Sequence, residues 1–173
     1  VGIESMTAGP SEIVVVCDKF SNPKWIASDL IGQAEHDVLA QCILISKDNN
    51  LIERIKKEIF IQLKKIPRKS VARKSLIHNG ILMYINSDKK IVDVVNKIAP
   101  EHLELNIKNY KSLIPKIKNA ASICLGKYAV MAMTDYNVGS NHVLPTTGSA
   151  KYSSGISVNE FYKRISYINL SKK

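Results

Sequence analysis

Short apolar runs, each followed by a stretch with helical spacing, constrain this chain more than any other feature. Glu12-Ile-Val-Val-Val-Cys17, Gln41-Cys-Ile-Leu-Ile-Ser46 and Ile81-Leu-Met-Tyr-Ile85 are near-continuous runs of strand length. That is the pattern of strands buried on both faces. Ser21-Asn22-Pro23 supplies a cap and a proline at a first helical position. It predicts a helix from Lys24 to about Glu35, with Trp25, Ile26, Leu30 and Ile31 at helical spacing. Asp48-Asn49-Asn50 caps a second helix from Leu51 to about Lys65, with Ile52, Ile55, Ile59 and Leu63 as its stripe and Pro67 as its stop. Asn79-Gly80 punctuates before the third strand. Ser87 or Asp88 then caps a helix through Val92, Val95 and Ile98 to Ala99, stopped by Pro100. Leu103-Glu-Leu105 reads as a short extended piece, followed by a helix near Asn109–Ile114 and a strand at Ala121–Leu125. Strands separated by helices need crossovers, and crossovers give parallel pairs. The expected fold is α/β: a partial, Rossmann-like three-layer domain with a mostly parallel sheet, ending in a long functional loop region. That region is 126–157, rich in Gly, Ser, Thr and Asn and without periodicity.

At 173 residues and 45% hydrophobic, the chain suits one domain or a large piece of one. No apolar run approaches the ~18–20 residues of a membrane helix. The opening Val-Gly-Ile-Glu lacks an initiator Met and the basic and apolar segments of a signal peptide. It reads as an internal piece of something longer. Cys17, Cys42 and Cys124 are far apart and lie in strands, so they read as small core hydrophobes. They argue against a disulfide framework or a thiolate zinc site and favour a reducing cytoplasm. The net charge of +10 invites a nucleic-acid reading, yet only Arg54, Arg68, Arg73 and Arg164 among 25 basic residues are arginines. Base readout favours arginine. The stretch from Arg54 to Lys74 therefore reads as the wet face of a helix plus a loop, with a basic nucleic-acid-binding module centred on 54–74 as the alternative.

Four polar clusters sit at element ends. Ala8-Gly9-Pro10-Ser11-Glu12 is a turn into the first strand. In Gln33-Ala-Glu-His36-Asp37, residues i and i+3 share a helical face, so Gln33 and His36 can converge on one atom; the plainer reading is a polar helix end. Glu101-His102 sets an acid beside a base, a pair able to move protons. Adjacent residues in an extended chain point oppositely, so the two are expected to serve different faces. Thr134-Asp135-Tyr136, Gly139, Asn141-His142 and Thr146 crowd a carboxylate, an amide, an imidazole and hydroxyls into one loop; the plainer reading is a rigid, internally hydrogen-bonded loop. His36, Asp135 and the Gln33 carbonyl form an N/O donor set suited to zinc or manganese. His78, beside Asn79-Gly80 in a basic loop, reads as simply exposed.

In this order the clusters resemble histidinol dehydrogenase. The matching segments are AGPSE (8–12), DLIGQAEHD (29–37), APEHLEL (99–105), TDYNVGSNHVLPTTGSAKYSSGISV (134–158) and FYKR (161–164). The resemblance implies an NAD-dependent, zinc-assisted, four-electron oxidation of L-histidinol through histidinal to L-histidine, the last step of histidine biosynthesis. It implies Gln33, His36 and Asp135 as zinc ligands that also face the substrate, Ser11 as a substrate contact, and Glu101 and His102 as the catalytic pair. His102 would be the base on the alcohol and then on the hydrated aldehyde, and Glu101 would activate the attacking water. His142 matches no ligand role and is read as organising the loop or as supporting a ligand from behind.

The resemblance also implies what is missing. The family chain is more than twice as long. Its NAD-binding domain and a helical tail that supplies a further zinc-ligating His and a substrate-binding Glu across a homodimer are expected outside these residues. Thr134 stands where the family usually has Gly. Residues 1–165 are expected to be the zinc- and substrate-binding part and 166–173 a tail, in a cytoplasmic enzyme with no nucleic-acid or membrane partner. The isolated chain is expected to be inactive. A non-catalytic remnant that keeps the fold is the competing reading.

Overall fold

The computed structural model describes residues 9–136 and 138–171; within this range, the side chain of Asp135 is not described. Five parallel strands form one sheet in the order β3-β2-β1-β4-β5. They are β1 (Glu12–Cys17), β2 (Gln41–Ser46), β3 (Gly80–Tyr84), β4 (His102–Asn106) and β5 (Ser122–Leu125). This is five strands of the six-stranded Rossmann order, and the winding reverses between β1 and β4.

The helices make the outer layers. On one face, α1 (Pro23–Ala34), α2 (Asn49–Leu63) and α3 (Lys69–Asn79) cover Ile13, Val15, Cys42 and Leu44. On the other, α4 (Asp88–Ile98) and two 3-10 turns (Tyr110–Ser112 and Ile114–Lys116) cover Val14, Val16, Ile43, Ile45, Leu103 and Leu105. The helix starts follow capping chemistry. Asn22 accepts the Lys24 N–H ahead of α1, and Asp48 accepts those of Asn50 and Leu51 ahead of α2. α4 ends on Ala99 in the left-handed conformation, φ 54°. Cys17, Cys42 and Cys124 are buried free thiols, and burial pushes Cys17 and Cys42 up to about 12.

Four expectations change. The basic stretch is not a helix and a loop: after Pro67 it winds into α3, which carries the exposed His78 as its penultimate residue. Asn79-Gly80 is no free turn but a direct helix-to-strand junction. A Cβ at position 80 would collide with the Leu76 carbonyl oxygen, so only glycine lets the chain leave the helix there. The helix near 109–114 is two 3-10 turns rather than an α-helix. The 126–157 region is also less irregular than expected, since it includes α5 (Met131–Tyr136) and a 3-10 turn at Ser149–Lys151.

β4 alternates two kinds of side chain. Leu103 and Leu105 enter the α4 core. His102, Glu104 and Asn106 point to the other face, in register with Ile13, Val15 and Cys17 of β1. All three polar residues are buried. A polar row thus runs up the sheet beneath α1.

Candidate active site

The amino ends of β1 and β4 meet one end of α1. A crossover helix between parallel strands runs antiparallel to them, which brings its last turn, with Gln33, back to the edge where β1 and β4 begin. Gln33 is 1% exposed, and neither its amide oxygen nor its amide nitrogen has a hydrogen-bond partner. An unbonded buried amide is costly, about 1–3 kcal/mol, and rare in a native interior. His36, one turn on, is exposed; its backbone N–H donates to the Gln33 carbonyl at 3.2 Å. Its own carbonyl accepts from the Arg68 guanidinium at 3.3 Å, tying the turn to the start of α3.

Glu101 and His102 lie at the same edge and are buried. The Glu101 Oε2 accepts the backbone N–H of Glu12 at 3.0 Å, and its Oε1 stands 3.7 Å from His102 Nε2. The two side chains therefore face each other, contrary to the expectation that they point apart. Glu101 occupies a bend just before β4, where strand alternation does not yet apply. The arrangement sets an imidazole nitrogen near a carboxylate whose other oxygen is already anchored; at 3.7 Å the two are too far apart for a direct hydrogen bond but close enough to act on one substrate.

The loop after α5 closes this edge. Gly9 N–H donates to the Thr146 hydroxyl at 2.7 Å, and Thr147 N–H donates to Glu12 Oε1 at 3.1 Å. A Cβ on Gly9 would collide with the hydroxyls of Thr146 and Thr147. Ser11, half-buried beside Gly9, accepts the Gln41 N–H through its carbonyl at 3.0 Å. Burial raises the Glu12 carboxyl, while the Thr147 N–H holds it down in part. His142 is exposed.

Two further acids were not foreseen. Glu104 is 1% exposed, and its Oε1 accepts the Met131 N–H at 2.7 Å. It is hydrogen-bonded to Asp29 of α1; burial first and the Asp29 charge second raise it well above the ordinary carboxylate range. Burial raises Asp29 as well, and the bond from Glu104 only partly offsets this. Asp29 Oδ2 and Glu104 Oε2 are buried and receive no N–H or O–H from any other group. Reading HLELN with the two-residue period of a strand would have placed Glu104 on the His102 face.

Ser11, Gln33, Glu101 and His102 thus share one edge of the sheet, with His36 on its rim. Asp135 belongs to α5, and its side chain lies outside the described residues. Ala8, at the start of AGPSE, lies outside them too. Among the described residues no group of three His, Cys, Asp or Glu gathers as a metal cluster. Gln33 is of none of those types, and its unbonded amide oxygen is the feature that fits a cation at this edge.

A family model described as Histidinol dehydrogenase matches residues 1–173. The chain belongs to the histidinol dehydrogenase family. It is 75% identical over 173 residues to histidinol dehydrogenase of Pelagibacter ubique (strain HTCC1062), covering 100% of this chain and 40% of that protein. It is 46% identical over 168 residues to that of Listeria monocytogenes (serovar 1/2a, strain ATCC BAA-679 / EGD-e), covering 97% and 39%. The crystal structure of histidinol dehydrogenase from Elizabethkingia anophelis superposes with a TM-score of 0.89 at 39% identity, covering 92% of this chain and 37% of that one. The chain spans about two fifths of the length of the curated relatives it matches. No helix among the described residues is long and apolar enough to cross a membrane.

Proposed function

We propose that residues 1–165 are the zinc- and substrate-binding part of an NAD-dependent histidinol dehydrogenase that oxidises L-histidinol through histidinal to L-histidine, with 166–173 as a tail. The observation that carries this is the Gln33 amide, buried and unbonded at the edge that holds Glu101 and His102. A satisfied core glutamine would have partners. One that awaits a ligand need not, until the ligand arrives.

In this reading Gln33, His36 and Asp135 hold zinc. Bound there, zinc supplies a fixed positive charge that orients the donor atoms of the substrate and takes up no electrons. His102 takes the alcohol proton, and takes another from the hydrated aldehyde in the second oxidation. Glu101, anchored through one oxygen by the Glu12 N–H, activates the water that adds to the aldehyde. Ser11, with the Gly9–Thr146 contact beside it, lines the substrate side and helps exclude solvent. NAD is the hydride acceptor named by the proposal, and none of these residues is assigned to it. The assembled enzyme is proposed to be a cytoplasmic homodimer.

A chimera tests this directly. This chain replaces the matching segment of the Pelagibacter ubique relative, and histidinol-dependent NADH formation is measured with zinc present. Turnover by the chimera that falls at least a hundredfold in the Gln33→Ala form is the expected result. Full activity after that substitution overturns the ligand role. The isolated chain is expected to show no turnover, and appreciable NADH formation by it would refute the claim that it is incomplete.

A further inference from the structure

The carboxyl pair of half-buried Asp29 and buried Glu104 lies away from the Glu101–His102 contact, yet it touches the same part of the fold. Glu104 is one strand step along the His102 face. Asp29 is one helical turn before Gln33, on the same face of α1. The Met131 N–H that Glu104 receives is the first of α5, and such an N–H has no partner within its own helix. The Met131 side chain is itself buried in the α1–α2 core. Farther along, the Thr134 hydroxyl donates to the Met131 carbonyl at 2.6 Å, and the Ser140 hydroxyl donates to the Thr134 carbonyl at 3.0 Å. These contacts place Asp135 on a helix whose start is tied to β4 and α1.

We propose that Glu104, held by Asp29, is a positioning residue that fixes the start of α5, the helix that carries Asp135. The link to zinc rests on the reading of Asp135 as a ligand; the link to α5 does not. A protonated pair suits the task. Two carboxylates this close would repel, whereas one shared proton gives a short bridge and leaves an oxygen for the backbone N–H. The raised Glu104 and Asp29 agree with that state.

The test uses the full 173-residue chain, with amide hydrogen exchange and zinc titration by calorimetry. In the unaltered chain the Met131 amide is expected to exchange at least a hundredfold slower than a free helix-start amide; an unprotected Met131 overturns the proposal without any variant. Glu104→Ala is expected to speed exchange at Met131–Thr134 at least tenfold, leave β1 and β2 unchanged, and weaken zinc binding at least tenfold. Glu104→Gln keeps an acceptor for Met131 and is expected to restore both within about threefold. Equal damage from Gln and Ala overturns it. So does unchanged zinc affinity in Glu104→Ala when Asp135→Asn weakens binding. If Asp135→Asn leaves zinc affinity unchanged, the ligand reading fails, and the exchange comparison still decides whether Glu104 holds α5.

Discussion

The two ends of the parallel sheet are built to different rules. In open α/β sheets ligands usually sit beyond the carboxyl ends of the strands, where the winding reverses. Here the ends of β1 and β4 are tied together by the protein's own polar groups. The Asp18 carboxylate accepts the N–H groups of Phe20 and Lys108, at 3.0 and 2.8 Å. The Ser21 hydroxyl donates to the Asn106 carbonyl at 2.6 Å. Asn22 and Asp48 occupy the starts of α1 and α2. At the amino end Gln33 is unbonded, and Glu101 and His102 face each other across 3.7 Å. Both ends spend polar groups on closure, but only the amino end also holds a buried amide with no partner, Gln33. On the proposed reading, stability and chemistry are thereby separated along the strands of one layer.

Substitutions can break or sharpen this contrast. The largest effect is expected from His102→Asn in the chimera, a fall in kcat/KM of roughly 10²–10⁴-fold, typical of a lost general base, with a melting temperature near that of the unaltered protein. A small kinetic effect with a large loss of stability would move His102 into the structural class. Next comes pH. Glu104 and Asp29 bind their protons more tightly folded than unfolded, so folding takes up protons. Stability is full below the ordinary carboxylate range and falls as pH rises through neutrality. Between about pH 5 and 8 the unaltered chain is expected to lose about 1–2 kcal/mol more than Glu104→Gln in denaturant titrations; parallel curves for the two would rule this out.

At the carboxyl end the expected effects are structural. Asp18→Ala removes an acceptor from two backbone N–H groups and is expected to cost about 1–2 kcal/mol in urea unfolding, with zinc affinity unchanged. A change in zinc affinity would join the two ends and undo the contrast. The smallest effect belongs to Lys47→Ala. It breaks the 2.6 Å ion pair with Asp88, but both side chains are well exposed, so a change below about 0.5 kcal/mol is expected.

The sequence made some of this visible and hid the rest for physical reasons. β1 and β2 were legible to the residue because buried parallel strands leave near-continuous apolar runs. α1 and α2 were legible because Asn22-Pro23 and Asp48 are caps of known type. α3 was not, because a basic stretch after Pro67 has little apolar stripe to read, and because Asn79-Gly80 resembles a turn until the Leu76 carbonyl is seen against it. α5 is six residues long, too short for periodicity to register. At the candidate site, Gln33, Glu101 and His102 were found as residue types, but their facing geometry was not: Glu101 belongs to a bend and not to the strand. Asp29 and Glu104 sat inside quoted motifs without a role, since pairing across α1 and β4 is a tertiary fact.

The alternation in β4 has a genetic consequence. Insert or delete one residue just ahead of His102 and the strand's side chains swap faces: the leucines move under α1, and an imidazole and a carboxyl enter the α4 core. This segment therefore tolerates spelling changes far better than changes of length. Descendants of such a strand would diversify by exchanging letters in place, with the reading frame of the pleat kept intact.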